Sequence, residues 1–249
     1  MKNLSLLIMV IIGAILTSCT FTEKIYIEEN GSGLYQVDMD LSQMLAFAGS
    51  LTKSEEGKDD SVIEKALEKT DTTFYFGQIL EQKKDSISKL PLEQRLMLES
   101  LKDSRLKMII DEKESKFIAN FYTDFKDISE AKDMQNKASN ALALASNKEG
   151  LASKTVDVSY VYTDKIFQRT ISTEKRTKKE QQEYDKNIEE MSMFLMGSTY
   201  NLEYHFPKPI KTTTAKDATF SSDRKTIYLS FSMDEIIKNE SLLNFEVKF

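Results

Sequence analysis

The chain has 249 residues, with 34 basic and 40 acidic side chains and a formal charge of −6. Hydrophobic residues make up 40%, enough to bury a core, which excludes wholesale disorder. The acidic balance excludes a general nucleic-acid binder, because affinity for phosphates needs clustered Lys and Arg. A single Cys and a single His exclude an internal disulfide framework, a Cys-based zinc finger and a His-rich metal centre.

The chain opens with a short positive stretch, Met1-Lys2-Asn3, followed by an apolar run from Leu6 to Leu16 and then Thr17-Ser18-Cys19. This order describes a secretory signal, and the run is too short to span a bilayer comfortably as a mature helix. Leu16-Thr17-Ser18-Cys19 resembles the bacterial lipobox, in which a Leu, two small residues and a Cys are read by the lipoprotein signal peptidase. The resemblance implies that Cys19 is lipidated on sulfur, that cleavage follows Ser18, and that Cys19 becomes the acylated N-terminus. Residues 1–18 are then a signal peptide and 19–249 the mature domain. Several acyl chains hold a protein on a membrane far more stably than one does. Thr20 follows the Cys and no acidic run comes after it, so the expected location is a cell membrane or outer membrane, with the domain facing the periplasm.

Along the mature chain, Ile25 and Ile27 alternate with polar neighbours. So do Tyr35, Val37 and Met39, on the far side of Asn30-Gly31-Ser32-Gly33. Period-two apolarity around an Asn-Gly turn predicts a hairpin over 24–40, with positive φ at Gly31 and Gly33. Asp40 is placed to cap a short helix carrying Leu41, Met44, Leu45 and Ala48. Residues 51–90 read as a polar, partly irregular insertion, with a short strand near Thr72–Phe76 and Pro91 opening a helix. Leu106, Met108 and Ile110, then Phe117, Ala119 and Phe121, predict a second hairpin turning at Glu112–Ser115. A helix over about 129–146 follows.

Val156, Val158, Tyr160 and Tyr162, then Phe167, Arg169 and Ile171, predict a third hairpin, and a charged helix is expected over 178–196. Strands around Leu202–Phe206, Ile227–Phe231 and Phe245–Phe249 complete the chain. The hairpin-plus-helix order recurs three times, as an internal repeat would. Nearly every strand has one apolar and one polar face. The expected fold is therefore α+β: an antiparallel sheet built from hairpins, with amphipathic helices packed on one face in two layers.

The hairpin around Asn30-Gly31-Ser32-Gly33, together with the strands at 200–206 and 226–249, resembles the LppM-type bacterial lipoproteins. That family has a lipobox, a Gly-Ser-Gly hairpin followed by a short helix, and a closing antiparallel sheet. The resemblance covers the outer third of the chain and implies an anchored envelope domain that handles lipid or glycolipid. It brings no catalytic residues.

No motif for chemistry stands out. Ser-x-x-Lys recurs from Ser50/Lys53 to Ser222/Lys225 without a Lys-Thr-Gly, as expected in a Ser- and Lys-rich chain. There is no P-loop, no Gly-x-Ser-x-Gly and no His-Glu-x-x-His. His205 alternates with Tyr204 and belongs on a polar strand face. Asp38 and Asp40 share a face, either as a solvated strand end with a cap or as a cation site. Asp60-Ser61-Val62, Asp71-Thr72-Thr73 and Asp85-Ser86-Ile87 resemble an Asp-Ser/Thr-apolar glycosylation triplet, which needs an exposed loop. The reading is a membrane-anchored binding or structural module, not an enzyme, with no cofactor and no metal. Its partners are the membrane, through acylated Cys19, and a lipid or envelope protein. The alternatives are a lipid or glycolipid carrier and a hydrolase of unrecognised type. A sizeable apolar cavity marks the carrier, and convergent acids and bases in a cleft mark the hydrolase.

Overall fold

A computed structural model describes residues 19–43, 70–111, 113–145, 158–171, 181–182, 185–186, 195 and 197–249. Among these residues the fold is β-rich. An eight-stranded sheet contains β1 (Thr20–Ile27), β2 (Gly33–Asp40), β3 (Thr70–Tyr75), β4 (Ser104–Asp111), β5 (Lys116–Phe125), β8 (Thr199–His205), β10 (Thr219–Phe220) and β11 (Thr226–Ser232). Its order is β10-β11-β8-β1-β2-β5-β4-β3. A four-stranded sheet contains β6 (Val158–Tyr162), β7 (Ile166–Ile171), β9 (Thr212–Thr213) and β12 (Phe245–Lys248), in the order β6-β7-β12-β9. The helices are short: α1 (Phe76–Gln82), α2 (Lys84–Ile87), α3 (Leu92–Ser100), α4 (Met134–Ala145) and α5 (Met233–Lys238). Two 3-10 turns lie at Ile128–Asp133 and Glu240–Leu243.

This corrects the expected helix-packed α+β fold. Alternation along a strand reports that one face is covered, not what covers it. Here a second sheet does much of the covering. Phe167 on β7 meets Tyr204 of β8 edge-to-face and Phe245 on β12 meets it tilted, with ring centroids 5.5 and 5.6 Å apart. The 3-10 turn at 128–133 and α4 cover a further part, burying Ile128, Ala131, Met134, Ala138 and Ala141. The large sheet is not purely antiparallel either. β1 and β8 pair in parallel, Thr20 opposite Thr199 through Tyr26 opposite His205, a contact between segments about 180 residues apart.

The hairpins fall where the periodicity places them. β1 and β2 pair with Lys24 opposite Gln36, β4 and β5 with Met108 opposite Ala119, and β6 and β7 with Tyr160 opposite Arg169. The first two lie in the large sheet and the third in the small one. Asp40 accepts from Ser42 N at 3.0 Å, as a cap does; the helix expected beyond it begins at Ser42–Gln43, and its remainder lies outside the described residues. So do most of the helix over 178–196 and residues 51–69 of the expected insertion. The remainder of that insertion is ordered as β3, α1 and α2, so the Asp71-Thr72-Thr73 triplet sits in a paired strand rather than in a loop.

The first turn needs both of its glycines, for different reasons. Gly31 has φ +83, the left-handed region that glycine adopts without strain. Gly33 does not, which corrects the expectation of positive φ there. It is demanded by close approach: a Cβ would lie 1.8 Å from the Tyr26 carbonyl oxygen and 2.6 Å from Phe125 Cζ.

Candidate functional site

Glu23 faces inward on β1 in step with Ile25 and Ile27, and its exposure is 0%. A buried carboxylate must be paired and hydrogen-bonded or it neutralises. Four donors meet it. Tyr160 Oη donates to Oε1 at 2.9 Å, and Tyr204 Oη donates to the same oxygen. Tyr200 Oη donates to Oε2 at 2.6 Å and Gln135 Nε2 to Oε2 at 2.7 Å. The Arg169 guanidinium, 1% exposed, brings Nη2 to 3.7 Å from Oε2. Arg169 is itself held by Nε donating to Tyr204 Oη at 3.0 Å and Nη1 donating to the Leu243 carbonyl at 3.0 Å. The cluster therefore draws on both sheets and α4, and joins β1, β6, β7 and β8 through one carboxylate.

Burial pushes the Glu23 carboxyl up. Arg169 and the hydrogen bonds from Tyr200, Tyr204 and Gln135 outweigh it, so the group titrates below its ordinary value. Burial beside the Glu23 charge pushes Tyr160, Tyr200 and Tyr204 up, so their hydroxyls stay protonated donors. Burial alone favours the neutral form of Arg169, but the surrounding tyrosines and Glu23 hold it charged. Tyr35, pushed up by burial and then by Glu23, has a buried hydroxyl with no hydrogen-bond partner among the described residues.

The outer face of the same strands carries a second, shallower network. Lys24 Nζ lies 3.1 Å from Asp38 and 3.6 Å from Glu203. Asp38 also accepts from Gln36 at 2.8 Å and Asn120 at 2.6 Å. Asp38 and Asp40 therefore do not converge on a cation: one is occupied by Lys24 and amides, the other caps Ser42. Among the described residues no group of three or more His, Cys, Asp or Glu side chains is placed to hold a metal. His205 lies on this outer face as expected, but it is engaged. Its ring stacks on Tyr26 at 4.2 Å, contacts Glu203 at 2.7 Å and Thr226 Oγ1 at 3.0 Å.

An open groove of about 440 Å³ runs beside the 3-10 turn and β6, with Glu130, Lys132, Asp133, Lys137 and Ser159 on its walls and Tyr160 among its lining. Glu130, Lys132 and Asp133 on it are exposed surface groups. Cys19 lies at the head of β1, where its carbonyl accepts from Thr199 N at 3.1 Å. No helix among the described residues is long and apolar enough to cross a membrane.

The alternation puts Arg169 on the apolar face of its strand, and Glu23 was not singled out by it. The signal was present: extending the alternation of Ile25 and Ile27 backward places Glu23 and Phe21 on the core face. An acid and an arginine on apolar faces of separate strands are a candidate buried pair. Comparisons with protein families, curated proteins and solved structures find no match for this chain.

Proposed function

We propose that this chain is an envelope lipoprotein, anchored through acylated Cys19, whose β-rich domain acts as a binding or structural module without catalysis. The observation that carries the reading is Leu16-Thr17-Ser18-Cys19 set directly before β1, which begins at Thr20. Cleavage after Ser18 leaves β1 whole.

Two features favour a module over the alternatives. Between the sheets, the centre is occupied by Tyr35, Phe121, Phe167, Tyr204 and Arg169, each at most 1% exposed. The acid with the most strongly organised surroundings, Glu23, has its four hydrogen-bonding positions taken by protein donors and no exposure to solvent. That is the arrangement of a structural tie rather than a general base, which must reach a substrate proton.

The test is Cys19→Ala in the native host. The variant is expected to accumulate as unprocessed precursor and to take up no fatty-acid label. Processing and labelling equal to the parent protein would refute the anchor. Mass spectrometry of lipid extracted from the natively purified parent separates module from carrier: stoichiometric bound lipid would favour the carrier.

A further inference from the structure

We infer that the domain has no spacer between anchor and fold, so that one end of the large sheet rests against the lipid headgroups. The inference rests on the anchored reading of Cys19. Thr20 already pairs with Asp40 on one side and Thr199 on the other, and the Cys19 carbonyl is bonded to Thr199 N. The freedom left to the anchor is a few single bonds of one side chain. A flexible linker of ten residues would instead allow an end-to-end distance of roughly 17 Å.

The register identifies which end faces the bilayer. Beside Cys19 lie the end of β2 at Asp40, the start of β5 at Lys116, the end of β4 at Asp111, the start of β8 at Thr199 and the end of β11 at Ser232. β1 is an interior strand, with β8, β11 and β10 on one flank and β2, β5, β4 and β3 on the other. At about 4.8 Å per strand the sheet is roughly 34 Å wide, so strand ends on both sides of the pivot limit rocking within the sheet plane. The opposite end, with the turn at 28–33 and the 163–165 turn near Gly31, stands off by the length of β1, about 25 Å. Charge does not drive this pose. The described anchor end carries Asp40, Asp111, Glu114, Asp234 and Glu235 against Lys113, Lys116 and Lys238. Covalent geometry sets it, so the pose is indifferent to salt and to anionic lipid.

The experiment uses full-length acylated protein extracted from membranes and returned to phosphatidylcholine vesicles carrying a headgroup energy-transfer acceptor. Glu114→Cys, at the anchor end, and Lys165→Cys, at the far end, each take one donor dye, since Cys19 is blocked by its lipid. The Glu114 site is expected close to the headgroups and the Lys165 site farther by about 25 Å, with the gap unchanged by salt or by added phosphatidylglycerol. Ten Gly/Ser residues inserted between Cys19 and Thr20 are expected to erase most of the gap. Equal distances for the two sites in acylated protein would overturn the inference, showing a domain that lies on its side or tumbles. A gap that collapses in high salt would overturn it too. Intact mass of the same sample separates the two failures: absence of the acyl mass refutes the anchor itself, whereas acylation with equal distances refutes only the pose.

Discussion

Glu23 and Lys24 are neighbours on one strand and face opposite sides of it. Each is a charge held by opposite charge and by hydrogen bonds, yet their surroundings differ. Glu23 has no solvent, four donors and a guanidinium. Lys24 keeps about a fifth of its side-chain surface, 22%, and shares two carboxylates that water also reaches. In a low-dielectric interior a lost partner leaves an uncompensated charge, whereas at the surface water replaces it. The same pleat thus puts an indispensable tie on one face and a dispensable one on the other.

The largest expected effect breaks the inner tie. Glu23→Leu removes the acceptor of Tyr160, Tyr200, Tyr204 and Gln135 as well as the counter-charge of Arg169, and should cost about 4 kcal/mol or more. Arg169→Met leaves those donors satisfied and should cost about 3 kcal/mol. The double variant is expected to stay near the Glu23→Leu value, because replacing a charge pair by apolar residues here still strands four donors. Urea unfolding of the three proteins checks the order, and full recovery in the double variant would contradict it.

The hairpin supplies the next step down. Gly33→Ala forces a Cβ against the Tyr26 backbone and should cost about 3 kcal/mol, since backbone cannot yield as a side-chain tip can. Gly31→Ala has room around it and only the positive φ to bear, about 1 kcal/mol. Thermal melts that reverse this order would show that the turn relaxes.

Acid sharpens the comparison with a smaller effect. Because the folded Glu23 carboxyl titrates below its unfolded value, its contribution is complete above about pH 4.5 and is lost as pH falls through the folded value. Asp127, Asp164 and Asp223 are lowered by their own hydrogen bonds but are exposed, so they add little. The fall in melting temperature from neutral pH to about pH 3 should therefore be shallower in Glu23→Gln than in the parent.

The smallest effect is expected on the outer face. Lys24→Met should change stability by under about 1 kcal/mol, with a contribution that salt screens away. A loss as large as that of Arg169→Met would mean that the outer network is sealed from water by something bound to it.

Alternation of apolar residues determined the strands, because a two-sided sheet needs a period of two whatever packs against it. The turn at Asn30–Gly33, with its left-handed Gly31, and the cap at Asp40 were legible for a similarly local reason. Tertiary structure decided what covers the inner face. Phe167, Phe245 and Tyr204 meet across two sheets from distant parts of the chain, and no local pattern distinguishes a covering sheet from a covering helix. It also decided the parallel pairing of β1 with β8, since the backbone hydrogen bonds of a strand do not name their partner. The buried cluster divides the same way. The facing of Glu23 and Arg169 follows from their places in the alternation. Their meeting, with three tyrosines and Gln135 around one carboxylate, exists only because the two sheets and α4 converge there, and the cost of burying a lone charge makes that convergence a condition of the fold.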